Sequence, residues 1–245
     1  MTSYEIIGDI VLFNKKISKK EAQELIKNNK HIKTAAYKSD IHKGKYRLKK
    51  VKIILGENKK ITVHKENKVR LKVDIEKTYF SPRTANERVR IINQIKPRED
   101  ILVLFSGIGV LPIEIAKNTR AKSIIGIELN PTAHRLAQEN LIMNKTNNVT
   151  LYRGDVRKIV PKLKIKFDRV LMPLPKSAED FLDLTKKVIK KNGIIHFYTF
   201  AQEKEFRDLN KKIKPYFKKL KILKIVKCGA YAPFTYRVCI DFRVL

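Results

Sequence analysis

Hydrophobic and polar positions give the chain two textures, with the change near residue 70. From about residue 71 onward, short continuous apolar runs alternate with longer mixed stretches. Residues 100–105, 123–127, 149–152, 167–171 and 193–200 read as strands, because strands buried on both faces show unbroken apolar runs. Between them the pattern predicts helices over 111–117, 131–144 and 177–190, and another over 202–209 reaching toward 213. Residues 224–226 and 235–242 read as a closing antiparallel pair. Strands alternating with helices predict a doubly wound α/β sheet with helices on both faces.

Residues 1–70 are different: short strands, one helix and many lysines. Residues 6–13 (IIGDIVLF) read as a strand pair or a bent strand. Ser18 followed by Glu21 has the spacing of a capping box, so a helix is expected over 18–29. Residues 34–37, 51–55 and 60–64 read as strands, with Gly56-Glu57-Asn58 as the turn between the last two. The expected organisation is a small α+β domain over 1–70 and an α/β domain over 71–245. No internal repeat or low-complexity tract interrupts either.

Composition narrows the class. With 245 residues, 43% hydrophobic positions, 11 Phe and 9 Tyr, the chain has material for a sizeable core. Lys and Arg total 55 against 24 Asp and Glu, a formal net charge of +31. A surface built for ion-pair networks would raise acids along with bases, and here the acids lag. The excess points to a polyanionic partner, nucleic acid, whose phosphates reward each added cation. Cys228 and Cys239 form no CxxC and no metal-ligand spacing, so no metal site is expected; two buried free thiols are favoured over a disulfide. No stretch reaches the roughly 18 consecutive apolar residues of a membrane span, and residues 1–20 lack a signal-peptide core. The expectation is a soluble, cytoplasmic monomer.

The candidate chemistry lies at successive strand ends, where ligands of doubly wound sheets sit. The first strand runs into Phe105-Ser106-Gly107-Ile108-Gly109, whose glycines permit a tight turn and close backbone approach. Taken alone, this is as readily an ordinary strand-to-helix turn. Glu128 ends the second strand, 19 residues after Gly109, as required of a carboxylate that binds ribose hydroxyls. Asp155 follows the third strand and can accept from an adenine amino group or simply cap a helix. Position 112 is Pro, so the third glycine of a dinucleotide loop is missing, and no GxxxxGK[ST] loop exists. The set looks like a class I S-adenosyl-L-methionine methyltransferase.

Further segments sharpen the likeness: His64-Lys65-Glu66-Asn67, Val73-Asp74-Ile75, Tyr79-Phe80-Ser81-Pro82-Arg83, Asn86-Glu87-Arg88, Leu104 to Gly109, Glu128-Leu129-Asn130-Pro131, Gly154-Asp155-Val156-Arg157 and Tyr231-Ala232-Pro233. In this order they resemble the tRNA (guanine-37 N1)-methyltransferase family of archaea and eukaryotes over essentially the whole chain. The resemblance implies a class I methyltransferase Rossmann-like sheet with a small N-terminal α+β domain, S-adenosyl-L-methionine as cofactor, and the tRNA anticodon loop at position 37 as partner. It implies Glu87 as the general base and Arg47 as the cation that stabilises charge on O6. Cofactor contacts are expected from Phe105, Gly107, Gly109 and Glu128, with Leu129, Asn130, Asp155, Val156 and Met172 beside them. Arg83 and Arg88 are expected to orient the cofactor carboxylate or a phosphate, and Tyr79 to pack on the cofactor or the flipped base. Family members usually carry an extra N-terminal domain for the outer corner of tRNA. This chain begins with the smaller second domain, so that check is expected to be weaker or supplied by the basic surface.

One departure is informative. Where most members have Asn-(Leu/Pro)-Pro after the fourth strand, this sequence has Met172-Pro173-Leu174-Pro175. Pro173 at the Asn position resembles the archaeal wyosine-pathway branch, which methylates N1 of guanosine-37 and C7 of 4-demethylwyosine. Two other readings stay open: an aminocarboxypropyl transferase on the same scaffold, and an RNA-binding relative without catalysis.

Overall fold

The computed structural model describes residues 3–40, 46, 48–173 and 177–245; Arg47, expected to be catalytic, lies outside the described residues. The N-terminal sheet has the order β1-β2-β3-β4. β1 (Tyr4–Ile7) and β2 (Ile10–Phe13) form an antiparallel pair, α1 (Lys19–Asn28) carries the chain to β3 (Thr34–Lys38), parallel to β2, and β4 (Val51–Gly56) pairs antiparallel to β3. The capping box at the start of α1 is formed: Ser18 Oγ accepts from the Glu21 amide at 3.2 Å, and Glu21 Oε2 accepts from the Ser18 amide at 2.9 Å. Ala22 of α1 packs on Val11, Phe13 and Ala35.

β5 (Ile61–Glu66) and β6 (Val69–Asp74) form a separate two-stranded hairpin. Its turn residues Asn67 and Lys68 have φ of 43° and 66°, the left-handed values that match a two-residue hairpin to strand twist. Here the sequence reading is corrected. Gly56-Glu57-Asn58 does not join a strand pair, because β4 pairs with β3 and β5 with β6. The boundary drawn at 70/71 falls inside β6, whose alternation of buried Val69, Leu71 and Val73 with Arg70 and Lys72 is a half-buried strand pattern.

The large sheet contains β7 (Asp100–Leu104), β8 (Ser123–Glu128), β9 (Val149–Arg153), β10 (Phe167–Met172), β11 (Ile189–Gln202), β12 (Leu220–Ala232) and β13 (Thr235–Val244), in the order β12-β13-β11-β10-β7-β8-β9. β7 to β11 are mutually parallel, and β12 and β13 close the edge antiparallel. The order reverses between β7 and β10, so the crevice beyond their carboxyl ends is where a ligand is expected. The helices are α2 (Ala85–Ile92), α3 (Val110–Asn118), α4 (Pro131–Asn144), the short α5 (Val156–Ile159) and α6 (Leu182–Val188). Alternate residues of β7 serve opposite faces: Leu102 and Leu104 join a cluster with Phe181, Ile195 and Phe197, whereas Ile101 and Val103 pack with Ile91, Leu111 and Ile115.

Two predicted helices differ. The 177–190 stretch divides into a 3-10 turn (Ala178–Phe181), α6, and the start of β11, where buried Ile189 pairs with Phe167. The 202–213 stretch is a 3-10 run, Glu203–Lys212, not an α-helix. No helix among the described residues is long and apolar enough to cross a membrane.

The hairpin is fixed to the large domain by two asparagines one turn apart on α4. Asn140 Oδ1 accepts from the Lys72 amide at 2.7 Å, and Asn144 Oδ1 from the Arg70 amide at 2.9 Å; their Nδ2 groups donate back to the same residues' carbonyls. The pair satisfies the outer edge of β6 as a neighbouring strand would. Asn140 Nδ2 also donates to the Ile108 carbonyl at 3.0 Å, tying hairpin, helix and glycine loop together. A shared core of Ile7, Ile10, Leu12, Leu71, Val73, Phe80, Ile113 and Leu136 joins the small sheet, the hairpin and α3 and α4.

Candidate active site

A cleft with a cavity volume of about 120 Å³ opens at the switch point. Its floor is the Phe105–Ile108 turn that follows β7, with Pro173 beyond β10 and Tyr198 on β11 beside it. The opposite wall is Tyr79, Phe80, Ser81, Thr84 and Glu87, from the segment that leads into α2. Phe105 and Gly107 adopt φ of 56° and 58°. A Cβ built on Gly107 would meet nothing closer than the Tyr79 carbonyl at 3.8 Å, so the space beside this glycine is open. Ser106 Oγ is buried and has no hydrogen-bond partner among the described residues.

Glu128 organises the loop from the end of β8. Its Oε2 accepts from the Gly107 amide and its Oε1 from the Asn130 amide, both at 2.7 Å. Burial raises its pKa, and the backbone donors at Asn130 and Gly107 partly offset that. Asn130 caps α4 through the Thr132 amide at 2.9 Å. The Gly154 amide donates to the Glu128 carbonyl at 2.8 Å, which brings the third strand end alongside the second.

Glu87 is the titratable group best placed on the cleft wall. Its carboxylate is held by a fork from Arg90, Nε to Oε2 at 2.7 Å and NH2 to Oε1 at 2.8 Å, and by Tyr198 Oη to Oε1 at 2.6 Å. Arg90 also donates to Asp241 through NH1 and NH2. Asp241 Oδ1 faces His196 Nδ1 at 2.6 Å, and His196 Nε2 faces Arg169 NH1 at 2.6 Å. Arginine only donates, so Nε2 is the acceptor and the proton sits on Nδ1, directed at Asp241. Burial, first among its causes, lowers the His196 pKa, in keeping with this neutral tautomer. For Asp241, burial pushes the pKa up, but His196 and Arg90 outweigh it and hold the carboxyl below its ordinary value. Burial, with the nearby thiol and Glu87 charges, raises the Tyr198 phenol well above its ordinary value, so Tyr198 remains a donor to Glu87. His196, Cys239 and Asp241 offer ligand atoms within 4.8 Å of one another. No sequence spacing brings these three together, yet two guanidinium groups already engage the trio, which is organised as a hydrogen-bonded network.

Residues 62–226 match the TRM5/TYW2 methyltransferase domain. The chain belongs to this family. The tRNA (guanine(37)-N(1))-methyltransferase Trm5b of Pyrococcus abyssi is 35% identical over 99% of this chain and 75% of the relative. A crystal structure of Trm5b from that organism superposes with a TM-score of 0.89 at 33% identity, over 99% of this chain and 74% of that one. The tRNA(Phe) (4-demethylwyosine(37)-C(7)) aminocarboxypropyltransferase of Methanocaldococcus jannaschii is 33% identical, covering 98% of this chain and 97% of the relative. The tRNA (guanine(37)-N(1))/4-demethylwyosine(37)-methyltransferase Taw22 of Nanoarchaeum equitans is 31% identical over 86% of this chain and 88% of its own. The α/β architecture, with a central parallel sheet, is that of the family's solved structures.

Among the residues expected from the family pattern, Tyr79, Glu87, Arg88, Phe105, Gly107 and Pro173 line the cleft. Of these, the Arg88 guanidinium is already committed to Glu66 at 2.5 Å, Thr84 Oγ1 at 2.5 Å and Glu114 at 3.5 Å. Others are placed differently. Arg83 reaches the small domain, at 3.5 Å from Glu5 and 3.0 Å from Ser3 Oγ. Asp155 caps α5 through the Arg157 amide at 2.9 Å. Gly109 caps α3 at φ 82°, and a Cβ there would lie 3.1 Å from Ala137 Cβ. Val156 and Met172 are buried in the core, and Leu129 is half-buried.

Arg90 was legible as a helix neighbour of Glu87, and the two do pair within α2. Ser106, Tyr198, Asp241 and Arg237 were not singled out from the sequence. Ser106 stood inside a quoted motif. The other three reach Glu87, Arg90 and Tyr79 only through the packing of β11 and β13 against α2 and the segment before it, up to 158 positions apart.

Proposed function

We infer that the chain is an S-adenosyl-L-methionine-dependent tRNA methyltransferase that acts on N1 of guanosine-37 in the anticodon loop. The observation that carries this is the Glu87 carboxylate, fixed by Arg90 and Tyr198 on the wall of the switch-point cleft. N1 of guanine is protonated at neutral pH, so methylation there needs a base for that proton. A carboxylate has about four acceptor positions; Oε1 accepts two hydrogen bonds and Oε2 one, which leaves one on Oε2 for the N1 proton. Arg47 is the proposed cation for charge growing on O6. A base stacked in the loop must be splayed out to reach the cleft.

The residues present fit the cofactor. The open face at Gly107, the unpartnered Ser106 hydroxyl and the Glu128 carboxylate offer space, a polar contact and an acceptor for ribose hydroxyls. When bound, S-adenosyl-L-methionine supplies an electrophilic methyl group. Glu128→Ala is expected to weaken its binding by about 1–3 kcal/mol, because charge-assisted hydrogen bonds and the anchor of Gly107 are lost together. Isothermal calorimetry giving an unchanged affinity would remove Glu128 from the site.

A second substrate, 4-demethylwyosine already installed at position 37, is favoured by Pro173. It lines the cleft as an apolar wall where most relatives place an Asn, and a site with no committed polar group discriminates weakly between shapes that both fit. The test is nucleoside mass spectrometry after incubation with S-adenosyl-L-methionine and two tRNA(Phe) substrates, one unmodified and one carrying 4-demethylwyosine. One methyl gained on each base is the expected result, and Pro173→Asn is expected to reduce the tricyclic product more than the guanosine product. Methylation of guanosine alone would sink the dual-substrate reading, and a much heavier aminocarboxypropyl group would replace methyl transfer altogether.

A further inference from the structure

A second cleft adjoins the first and carries a charge arrangement that the chemistry above does not use. The two share Tyr79, Phe80, Ser81, Thr84 and Arg237 as a common wall. The second is closed on its far side by Glu5, Lys38 and Lys49 of the small domain and by Cys228 to Tyr231 of β12. It therefore lies between the N-terminal sheet and the β12–β13 edge of the large sheet, next to the switch-point cleft.

Lys49 is the anomaly. It is only 6% exposed, and lysine is almost never buried without a partner. Among the described residues it forms no ion pair within 4 Å and donates no hydrogen bond. The carboxylate that attracts it, Glu5, is also held by Lys38 and Arg83, each at 3.5 Å. Burial, with the Lys38 charge added, lowers the Lys49 pKa to about 8. A second donor in the same cleft is also idle: Arg237 Nε is buried without a hydrogen-bond partner among the described residues, while its NH2 donates to Tyr79 Oη at 3.0 Å. Among the described residues that line the cleft, one carboxylate thus stands against four cations, Lys38, Lys49, Arg83 and Arg237. Holding an uncompensated buried cation costs stability, and such a cost is retained where an anion arrives to offset it.

We propose that this second cleft is a phosphate site for the RNA backbone at the target nucleotide, with Lys49 as its central cation and Arg237 as the donor nearest the base cleft. The proposal rests on the tRNA methyltransferase reading. A phosphate fits better than the cofactor carboxylate because the cleft lies on the small-domain side of the Tyr79–Arg237 contact, away from the glycine loop. A phosphate offers several acceptor oxygens to converging donors. Each phosphate contact of this kind contributes to affinity in a salt-dependent way, through counterion release.

The experiment uses the full chain, with Lys49→Met and Lys49→Arg, and an unmodified tRNA(Phe) transcript titrated by fluorescence over a series of salt concentrations. Lys49→Met is expected to weaken tRNA binding about 10-fold at low salt. It is also expected to flatten the slope of log affinity against log salt by about 0.7–0.9, one phosphate contact. Lys49→Arg is expected to keep most of both. S-adenosyl-L-methionine affinity is expected to stay unchanged, and the thermal midpoint of Lys49→Met to hold or rise, since an unpaired buried charge has been removed. A merely structural lysine would give the reverse pattern, a lower midpoint with unchanged tRNA affinity and slope, and that overturns the proposal. Loss of cofactor affinity overturns it too, by assigning Lys49 to the cofactor. If Lys49→Met does not fold, Lys49→Gln is read by the same criteria. A wild type that binds tRNA but transfers no methyl group defeats the functional reading and leaves the Lys49 comparison to stand or fall by its own slope.

Discussion

Glu87→Gln is expected to reduce the single-turnover rate of methyl transfer to guanosine-37 by about 100-fold or more, with cofactor affinity nearly intact. A positioned general base contributes roughly 10²–10⁴ to rate, and glutamine has the same shape but cannot take a proton. Its amide oxygen can still accept from Tyr198, and Arg90 keeps its bonds to Asp241, so the local fold should survive. The substitution leaves Gly107 and Glu128 untouched, which is why binding of S-adenosyl-L-methionine should not follow the rate. Rapid-quench assays with tRNA transcript, paired with calorimetry of the cofactor, separate the two. A rate within a fewfold of wild type would return Glu87 to the rank of a helix residue paired with Arg90.

The second large effect is one of stability. Asp241→Ala is expected to destabilise the chain by about 3–5 kcal/mol, the usual cost of removing one partner of a buried ion pair. The Asp241 side chain is 2% exposed and receives Arg90 and His196. Its loss leaves the buried His196 imidazole N–H without its acceptor and the Arg90 guanidinium with Glu87 as its remaining carboxylate partner. By the entropy of unfolding of chains this size, the midpoint should fall by about 10 °C. Arg90 also loses its anchor, so methyl transfer should drop even in protein that remains folded. The pH dependence has a definite sign. The Asp241 carboxyl titrates below its ordinary value in the folded protein, so its contribution is present above about pH 4, the unfolded carboxyl value. It is lost as pH falls through the lower folded value. The gap between wild type and Asp241→Ala, measured by urea unfolding, should therefore narrow in acid. A difference under about 1 kcal/mol at neutral pH would mean that Arg90 is solvated without its partner.

Local signals made much of this molecule legible in the linear chain. Apolar-rich runs marked the five parallel strands, most plainly at β7, which is buried along its whole length. The Ser18–Glu21 spacing marked the start of α1 because a capping box is a contact between near neighbours. The glycine loop and the strand-end carboxylate Glu128, each expected at a strand terminus from the alternation, do meet at the switch point, where the Gly107 amide donates to Glu128. The β5–β6 hairpin carries a half-buried strand pattern at Val69, Leu71 and Val73, and the division drawn at 70/71 falls inside it.

What the tertiary structure alone decided are the partners of charges. Nothing local distinguishes Arg88, turned inward to Glu66 and Glu114, from Arg83, which reaches Glu5 on β1. Glu87 meets Tyr198 at 111 positions' separation, and Arg90 meets Asp241 at 151. Lys49 is one of many lysines in the sequence, and only the packing of the small domain against the Tyr79–Thr84 segment makes it buried and uncompensated. Periodicity records which face of an element is apolar, because burial is a property of each position in turn. A charge's role depends on what stands opposite it, and that is fixed only when distant strands are laid side by side.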